Sequence, residues 1–328
     1  MLPDKANPIC LLLILCKYSD ENHILTMREI IKRMKADYGV SPDRRTIYSS
    51  ISLLIDLGFE ISTYKDNGVG YYLEQRLFET SEVRLLMDAV YSFSCLPSKH
   101  TEDLIKKLQK LLSVHERKHF EHLTVVRSEK KTANRQVFWN IEQLDKAISK
   151  KVKVRFTYLQ YDLNKKLVPR REEIYTVNPY SMVFSNDNYY LVCIKDNKDS
   201  VSMYRIDRMR DIEVTECKLD SQKPDFNPSK FTEHAVYAYP GEPEHIRMNC
   251  RISILDHVID NYGTNINIHK LDDENIEICF TASPYGVKYW ALQYLPYVEV
   301  IYPIWLRDEI IESIKENPYF EIYYRENI

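Results

Sequence analysis

The segment from residue 178 to residue 212 restricts the fold of this chain more than any other. Two runs of alternating apolar and aromatic residues flank short polar turns, a pattern typical of a β-hairpin. The second run ends in Tyr204-Arg205-Ile206-Asp207-Arg208, which brings two guanidinium groups into one small region. Paired arginines at a strand end suit bidentate recognition of a phosphate or carboxylate. Because residues 205 and 208 of a regular strand point to opposite faces, both reach one ligand only if the strand ends or bends near Asp207.

This segment resembles the core of the WYL domain, a ligand-sensing module of bacterial transcription regulators. The Trp-Tyr-Leu signature of that family corresponds here to Tyr189-Tyr190-Leu191, and the strand after the signature corresponds to residues 204–208. Tyrosine stands in place of the tryptophan, and an amphipathic aromatic ring fits the same half-buried position. The resemblance implies a small Sm-like β-barrel that binds a ligand.

The candidate ligand-binding residues lie in residues 138–217, which we interpret as one domain. The spacing of apolar residues predicts a helix over 140–151 followed by about five short strands. Arginines and aromatic rings suit a nucleotide or single-stranded nucleic acid, because every base has a face for stacking. The alternative interpretation is that the arginines form surface ion pairs with Asp207, Asp211 or Glu213. The candidates are Tyr180, Ser181, Tyr190, Tyr204, Arg205 and Arg208.

Residues 1–75 carry the pattern of a winged helix-turn-helix. Thr26 and Glu29 predict a capping box at the start of a second helix, and Ser41 followed by Pro42 predicts the start of a third. A short hairpin is predicted after the third helix. In a winged helix-turn-helix the start of the third helix enters a DNA major groove. In the alternative interpretation this is a small helical domain whose charged side chains are only solvated. The Ser-Pro-Asp-Arg-Arg-Thr-Ile-Tyr run also resembles the amino-terminal domain that commonly precedes WYL domains. The candidate DNA-binding residues are Arg44, Arg45, Thr46, Tyr48, Ser49 and Lys65.

Residues 76–137 are predicted to form a helical linker that supports dimerisation. Apolar residues at helical spacing predict two helices at about 80–95 and 98–113. Three histidines follow, His115, His119 and His122, and this spacing can hold zinc on a helix. No cysteine joins the histidines and charged residues crowd them, so the sequence favours a charged linker without a metal.

Residues 218–328 are predicted to form a further α+β unit. The order of the predicted elements is βαββαβ with a final helix, as in ferredoxin-like folds. This order resembles the carboxy-terminal extension that accompanies many WYL domains. We therefore predict a multidomain α+β protein with a winged helix-turn-helix, an Sm-like small β-barrel and a ferredoxin-like unit in that order.

Basic and acidic residues are distributed unevenly along the chain. Residues 1–75 hold 9 basic and 10 acidic residues, residues 76–155 hold 17 and 10, and residues 218–328 hold 10 and 18. An acidic C-terminal third is a poor surface for a phosphate backbone. We therefore expect any contact with nucleic acid backbone in the first half of the chain.

The composition argues against several common classes of protein. The chain has 7 glycines and contains neither GxGxxG nor GxxxxGK[ST], the motifs of common nucleotide-binding loops. It has no GxSxG, HExxH or paired-carboxylate motif, so we expect no enzymatic activity, no cofactor and no metal. The seven cysteines are scattered without a CxxC pair, as in proteins of a reducing cytoplasm. The apolar run from Ile9 to Cys16 is too short to span a bilayer and lacks the flanks of a targeting segment.

Two functions fit these patterns. In the first, the protein is a DNA-binding transcriptional regulator that binds an operator as a homodimer and senses a nucleotide or single-stranded nucleic acid through its WYL domain. In the second, it is an accessory protein, for example of a phage-defence system, that binds RNA or single-stranded DNA through that domain without an operator. The first function requires Arg44 and Arg45 to be free to reach bases, and the second does not. In both cases we expect a cytoplasmic protein with nucleic acid partners and no membrane.

Overall fold

The computed structural model describes residues 3–120, 131–185, 187–196, 200–220 and 243–319. The chain divides into two compact units, Met1–Ala133 and Asn134–Ile328. The first unit is mainly helical and the second combines helices with two sheets, so the chain is of the α+β class that its sequence predicts. None of the helices in the described ranges combines the length and the apolar character needed to cross a membrane.

The first unit packs its helices around two apolar cores. Its elements are α1 (Asn7–Tyr18), α2 (Met27–Tyr38), α3 (Arg44–Asp56), β1 (Ile61–Ser62), α4 (Tyr64–Asn67), β2 (Tyr72–Leu73), α5 (Thr80–Ser92) and α6 (Ser98–Gln109), with 3₁₀-helices at Asp4–Ala6 and Glu116–Phe120. One core joins α1, α2 and α3 through buried residues such as Leu11, Ile30 and Ile47. The other joins α5 to α6 through Val83 and Ile105. Both cores follow from apolar residues repeated at helical spacing.

Side-chain and glycine caps define the ends of α2. Thr26 and Glu29 form the predicted capping box, in which the Glu29 N–H donates to the Thr26 hydroxyl at 3.3 Å and the Thr26 N–H donates to the Glu29 carboxylate at 2.9 Å. Gly39 ends the helix with a φ of 70°, a conformation that a residue without a Cβ adopts readily. Both ends of α2 therefore agree with the sequence prediction.

The third helix begins two residues later than predicted. Its cap is Asp43 and not Ser41, because the Asp43 carboxylate accepts a hydrogen bond from the Thr46 N–H at 2.7 Å. Hydrogen bonding from the Thr46 side chain, with a smaller contribution from this N–H, holds the pKa of Asp43 below its ordinary value. Arg44 is therefore the first residue of α3, and Pro42 lies before the helix.

The hairpin after α3 is shorter than predicted. Each of its strands has two residues, and the connection between them contains α4, which carries Lys65. The Thr63 N–H donates to the Asp66 carboxylate at 2.8 Å at the start of α4. The Asn67 amide then accepts from the Gly70 N–H at 2.9 Å and donates to the Gly70 carbonyl at 3.2 Å. These local bonds satisfy backbone groups that a longer β ladder would otherwise pair.

The second unit begins with a helix packed on a curled six-stranded sheet. Its elements are α7 (Val137–Lys150), β3 (Val152–Tyr161), β4 (Leu167–Pro169), β5 (Tyr175–Ser185), β6 (Asn188–Lys195), β7 (Val201–Arg205), a 3₁₀ turn (Ile206–Arg208) and β8 (Met209–Lys218). The strand order is β4-β3-β5-β6-β7, and β8 returns to pair with β3. All of these pairings are antiparallel. The core inside the curl includes Leu144 of α7 with Phe156, Leu191 and Ile206.

The remaining described elements form a four-stranded antiparallel sheet with helices on one face. They are β9 (Glu244–Arg251), α8 (Leu255–Tyr262), β10 (Asn267–Lys270), β11 (Asn275–Ala282), α9 (Pro284–Gln293), β12 (Val298–Tyr302) and α10 (Ile304–Lys315), with 3₁₀ turns at Ile252–Ile254 and Leu295–Tyr297. The strand order is β10-β11-β9-β12. Fully buried Trp290 packs with Ile246, Ile278 and Leu306 between helices and sheet. The order βαββαβ with a final helix agrees with the sequence prediction.

Candidate functional site

Both candidate arginines of the middle domain lie in the segment that joins β7 to β8. β7 ends at Arg205, and Ile206–Arg208 forms a single 3₁₀ turn before β8 begins at Met209. Both arginines can reach one ligand only if the strand ends or bends near Asp207. The strand does end there. Residues 205–208 are called the arginine turn below.

Two asparagine amides and one apolar side chain hold the arginine turn. Asn140 of α7 is fully buried, and its Nδ2 donates to the carbonyl oxygens of Ile206 at 3.1 Å and Met209 at 2.9 Å. Asn134 donates to the carbonyl oxygens of Asp207 and Met209, both at 2.8 Å. The Ile206 side chain is itself buried in the core. Contacts that do not involve the arginine side chains therefore determine the backbone path of the turn.

Arg205 is bound within the protein. Its Nε and Nη2 donate to the two carboxylate oxygens of Asp207 at 3.0 and 2.9 Å, and Asp207 is 2% exposed. Burial acts to lower the pKa of Arg205, but the bonds to Asp207, with smaller contributions from nearby tyrosines, hold that pKa above its ordinary value. The ion pair considered as an alternative is thus present for Arg205. A bidentate carboxylate leaves this guanidinium little charge to offer to a ligand.

Arg208 lies in the same turn without such a partner. Among the described residues, no carboxylate lies within 4 Å of its guanidinium, and its buried Nε donates no hydrogen bond. Its Cζ lies 5.5 Å from the centre of the Tyr161 ring, a distance at which a cation is attracted to an aromatic face. A buried donor without an acceptor costs about 1–3 kcal/mol, and an anionic ligand would remove that cost. Arg208 therefore carries the charge that the turn has available.

Three tyrosines border the arginine turn. Tyr190 pairs with Arg205 across β6 and β7, and burial raises the pKa of Tyr190 while Arg205 opposes that rise. The Tyr158 hydroxyl oxygen accepts a hydrogen bond from the Arg205 N–H at 3.2 Å. Tyr161 is 49% exposed and lies beside Arg208. The surface open to a ligand is therefore formed by Tyr161 and Arg208.

Tyr204 belongs to an aromatic cluster in the domain core. Its ring centre lies 5.0 Å from that of Tyr158, 5.4 Å from that of Tyr175 and 5.6 Å from that of Phe156. Because successive residues of a strand point to opposite faces, Tyr204 and Arg205 lie on different sides of β7. Tyr204 therefore packs in the core of the domain and does not face the same side as the Arg205 side chain of the turn.

Tyr180 and Ser181 lie at an irregularity of β5, where the register with β6 shifts immediately before Ser181. Ser181 lies opposite Val192, which is two residues along β6 from Tyr190, roughly 7 Å. The buried Ser181 hydroxyl has no hydrogen-bond partner in the part of the chain that the structure describes. Burial raises the pKa of Tyr180, and nearby Asp220 adds to the rise. Ser181 thus shares the sheet face of Tyr190, whereas Tyr180 lies near Asp220.

Sequence reasoning missed a third arginine in this domain. The Cζ of Arg171 lies 3.6 Å from the centre of the Tyr175 ring, and its buried Nε has no hydrogen-bond partner within the described ranges. Its contact with Glu173 is long, at 3.7 Å. Arg171 follows β4 in a segment without periodic pattern, so periodicity carried no signal for it. Asn140 was also missed, although a polar residue on the buried face of a predicted helix is a usable signal.

Most of the candidate DNA-binding residues share the exposed surface of α3. Arg44 and Arg45 begin the helix, both are exposed, and neither forms an ion pair with another described residue. Tyr48 and Ser49 follow one turn later and are also exposed. The Tyr48 ring lies edge-on to that of Tyr71 with ring centres 6.5 Å apart, and burial with the neighbouring Tyr48 raises the pKa of Tyr71 to about 12.

Thr46 and Lys65 occupy different positions from these four residues. The Thr46 N–H donates to the Asp43 cap, and the Thr46 carbonyl accepts from the Ser50 hydroxyl at 2.8 Å. Lys65 is exposed on α4. Thr46 therefore stabilises the start of α3, and Lys65 offers a cation from a separate element.

No group of three or more His, Cys, Asp or Glu side chains within the described ranges could hold a metal ion. Of the histidines weighed as zinc ligands, His122 and the side chain of His119 lie outside the described residues. The ring of His115 stacks on that of His23 with ring centres 3.6 Å apart.

A family model identifies residues 140–214 as a WYL domain. This segment includes the signature strands and the arginine turn, so the resemblance inferred from the sequence is confirmed for these residues. The match covers less than half of the chain, and the assignment therefore applies to this domain.

Two solved structures are similar to the chain at low identity. Proteasome accessory factor B/C (PafBC) of Arthrobacter aurescens is 14% identical with a TM-score of 0.28, over 94% of this chain and 47% of that chain. A CRISPR Cas-related protein is 14% identical with a TM-score of 0.39, over 76% of this chain and 75% of that chain. This chain thus spans about half the length of the PafBC chain. No curated protein matches it in sequence.

Proposed function

We propose that the protein is a DNA-binding transcriptional regulator whose WYL domain senses a nucleotide or single-stranded nucleic acid. In this proposal the segment 1–75 is a winged helix-turn-helix with α3 as its recognition helix. The WYL domain is an Sm-like small barrel, and the C-terminal sheet unit is ferredoxin-like. The protein acts as a homodimer, because a single helix-turn-helix reads few base pairs. We assign it no enzymatic activity.

The observation that carries this proposal is the buried Nε of Arg208 inside a WYL domain, which has no acceptor within the described ranges. Asp207 neutralises Arg205, so the arginine turn has one positive charge for one phosphate. Tyr161 lies beside that charge with its ring half exposed, and a base can stack on such a ring. In a nucleotide the phosphate lies close to the base, so Arg208 can bind the phosphate while the base stacks on Tyr161. A simple anion would use only the arginine, and the pair of groups therefore supports a nucleic acid ligand.

Exposed cations at the start of α3 support the DNA-binding part of the proposal. Arg44 and Arg45 have no acidic partner among the described residues. A guanidinium that is not paired within the protein can donate two hydrogen bonds to the major-groove edge of guanine or to a phosphate. Ser49 and Tyr48 extend the same exposed surface by one helical turn.

The ligand assignment can be tested by fluorescence anisotropy with a labelled single-stranded oligonucleotide and the full chain. Arg208→Ala is expected to weaken binding by about tenfold or more, because loss of a charge-assisted hydrogen bond costs about 1.5–3 kcal/mol. Arg210→Ala is the matched control, since the Arg210 Nε donates to Asp211 at 3.1 Å. We expect this control to change the affinity by less than about twofold. Equal affinities for the two variants would refute the role of Arg208.

The DNA-binding assignment requires an operator, which can be selected from a random duplex library. We expect the double variant Arg44→Ala/Arg45→Ala to lose about 1–3 kcal/mol for each base contact removed. Lys106→Ala/Lys107→Ala removes two exposed cations from α6 and serves as the control for charge alone. If no duplex is selected while single strands still bind, the protein is the accessory RNA- or single-stranded-DNA-binding protein of the alternative hypothesis.

The proposal also couples the two binding activities. A ligand that changes operator affinity must have different affinities for two states of the protein, typically by about 1–3 kcal/mol. By reciprocity, operator DNA must change the affinity for the oligonucleotide by the same factor. We expect Arg208→Ala to abolish both effects while basal operator binding remains. Operator affinity that is insensitive to the oligonucleotide in the unaltered protein would contradict the sensing role.

A further inference from the structure

A cavity of about 450 Å³ lies at one end of the C-terminal four-stranded sheet, within the size range of small-molecule sites. Its walls are formed by the last residues of β9, the turn between β10 and β11, and the 3₁₀ turn that leads into β12. These segments meet because β9 pairs with both β11 and β12. All of the lining residues lie within the described residues of this sheet unit.

One wall of the cavity carries an amide without a partner. Asn249 of β9 lines the cavity, and its buried Oδ1 accepts no hydrogen bond from any residue that the structure describes. The neighbouring amide of Asn275 is occupied, because its Nδ2 donates to both carboxylate oxygens of Asp272 at 3.0 and 2.9 Å. An asparagine amide can form two parallel hydrogen bonds with adenine, accepting from N6 through Oδ1 and donating to N7 through Nδ2. Asn249 is thus suited to recognise that edge of a base.

The same cavity holds a cation beside an aromatic ring. The Arg251 Cζ lies 5.9 Å from the centre of the Tyr297 ring. Within the described part of the chain, no carboxylate lies within 4 Å of the Arg251 guanidinium. Arg247, on the same face of β9 but outside the cavity, differs in this respect because it contacts Glu277 at 3.6 Å. Arg251 therefore has charge available for an anionic group, and Tyr297 offers a surface for stacking.

The other walls restrict the size and charge of a ligand. Leu271 and Leu295 are 52% and 40% exposed and give the cavity an apolar surface that a base would cover. Two carboxylates, Asp272 and Glu299, also line the cavity. Hydrogen bonds from neighbouring amide groups hold the pKa of Asp272 below its ordinary value, so this carboxylate stays charged. Negative charge in the walls repels a ligand that carries several phosphates.

We propose that this cavity binds an adenine mononucleotide, in a site separate from the arginine turn. The Asn249 amide recognises N6 and N7 of the adenine, while Tyr297 and the two leucines contact the faces of the base. Arg251 contacts the single phosphate. This site does not depend on the ligand proposed for the WYL domain, and the chain accordingly has two places at which a nucleotide is recognised.

Isothermal titration calorimetry with AMP tests the proposal, using the full chain with Arg208→Ala so that the arginine turn does not contribute. We expect AMP to bind at one site per chain. IMP, which has a carbonyl in place of the N6 amine, is expected to bind at least about tenfold more weakly, and ATP is expected to bind more weakly than AMP. Arg251→Gln is expected to weaken AMP binding by about tenfold or more, and the matched control Arg247→Gln by less than about twofold.

Several outcomes would overturn this second site. They are an absence of AMP binding, equal affinity for AMP and IMP, or no effect of Arg251→Gln. AMP binding that appears in the unaltered chain and is lost only with Arg208→Ala would assign the nucleotide to the arginine turn and also reject the site. Arg251 is exposed, so its substitution should leave the thermal unfolding curve unchanged. Tyr297→Leu, which keeps an apolar side chain but removes the ring, provides a second variant with the same expected loss.

Discussion

Removal of Arg205 and removal of Arg208 should have different effects on stability, although both residues lie in one turn. Arg205→Ala leaves the carboxylate of Asp207, which is 2% exposed, without its cation. Breaking a buried ion pair by removing one partner costs about 3–5 kcal/mol. Because the Arg205 side chain is 26% exposed and water screens part of the interaction, we expect a loss of about 3 kcal/mol. The stranded carboxylate is the physical cause of this loss.

Arg208→Ala should not destabilise the protein. The substitution removes the contact with Tyr161, worth about 0.5–1 kcal/mol at an exposed site. It also removes a buried Nε that has no acceptor among the described residues, and such a donor costs about 1–3 kcal/mol. The gain is at least as large as the loss, so the free energy of unfolding should be equal to that of the unaltered protein or slightly higher.

Hydrogen exchange followed by mass spectrometry can separate these outcomes, because it reports the opening free energy of β6 and β7 in the full chain. Arg205→Ala should accelerate exchange in both strands. The double variant Arg205→Ala/Asp207→Ala should recover part of the protection, since no buried charge is then stranded. The assignment of structural and ligand-binding roles is refuted if Arg208→Ala loses as much protection as Arg205→Ala, or if Arg205→Ala costs less than about 1 kcal/mol.

Three further substitutions follow from particular contacts. Asn140→Ala removes hydrogen bonds to the carbonyl oxygens of Ile206 and Met209, so we expect a loss of about 1–3 kcal/mol in urea unfolding and weaker oligonucleotide binding with both arginines intact. A Cβ at Gly70 would lie 2.2 Å from the carbonyl oxygen of Leu25, so Gly70→Ala should destabilise the first unit by more than about 2 kcal/mol in the same assay. Burial, with nearby charged groups including His23, holds the pKa of His115 below 6.5, so the folded unit binds fewer protons than the unfolded chain just below that pH. Its stability should therefore fall as the pH is lowered from about 7 to about 5, and His115→Gln should reduce that fall when urea midpoints are compared at the two pH values.

The order of elements could be predicted from the sequence because it depends on local patterns. The apolar residues of α3 repeat at helical spacing, and Thr26 with Glu29 forms a capping box that is read directly from the sequence. The predicted start of α3 was wrong because Ser41 and Asp43 are both residue types that commonly cap a helix. Which of them bonds to a free N–H depends on the backbone path, and the structure places the Asp43 carboxylate against Thr46.

Arg205 is paired within the protein and Arg208 is available to a ligand, and this difference depends on contacts that are distant in sequence. Arg205 and Asp207 are two residues apart, a spacing that already places them on one face of a strand. Whether Asp207 is exposed or buried depends on Asn134 and Asn140, which donate to the turn from more than 60 residues earlier in the chain. An exposed Asp207 would screen Arg205 weakly and leave the turn with two positive charges, whereas a buried one binds Arg205 firmly and leaves the charge of Arg208. The net charge offered to a ligand is thus determined by the packing of α7 against the turn, and no pattern within residues 204–208 could reveal it.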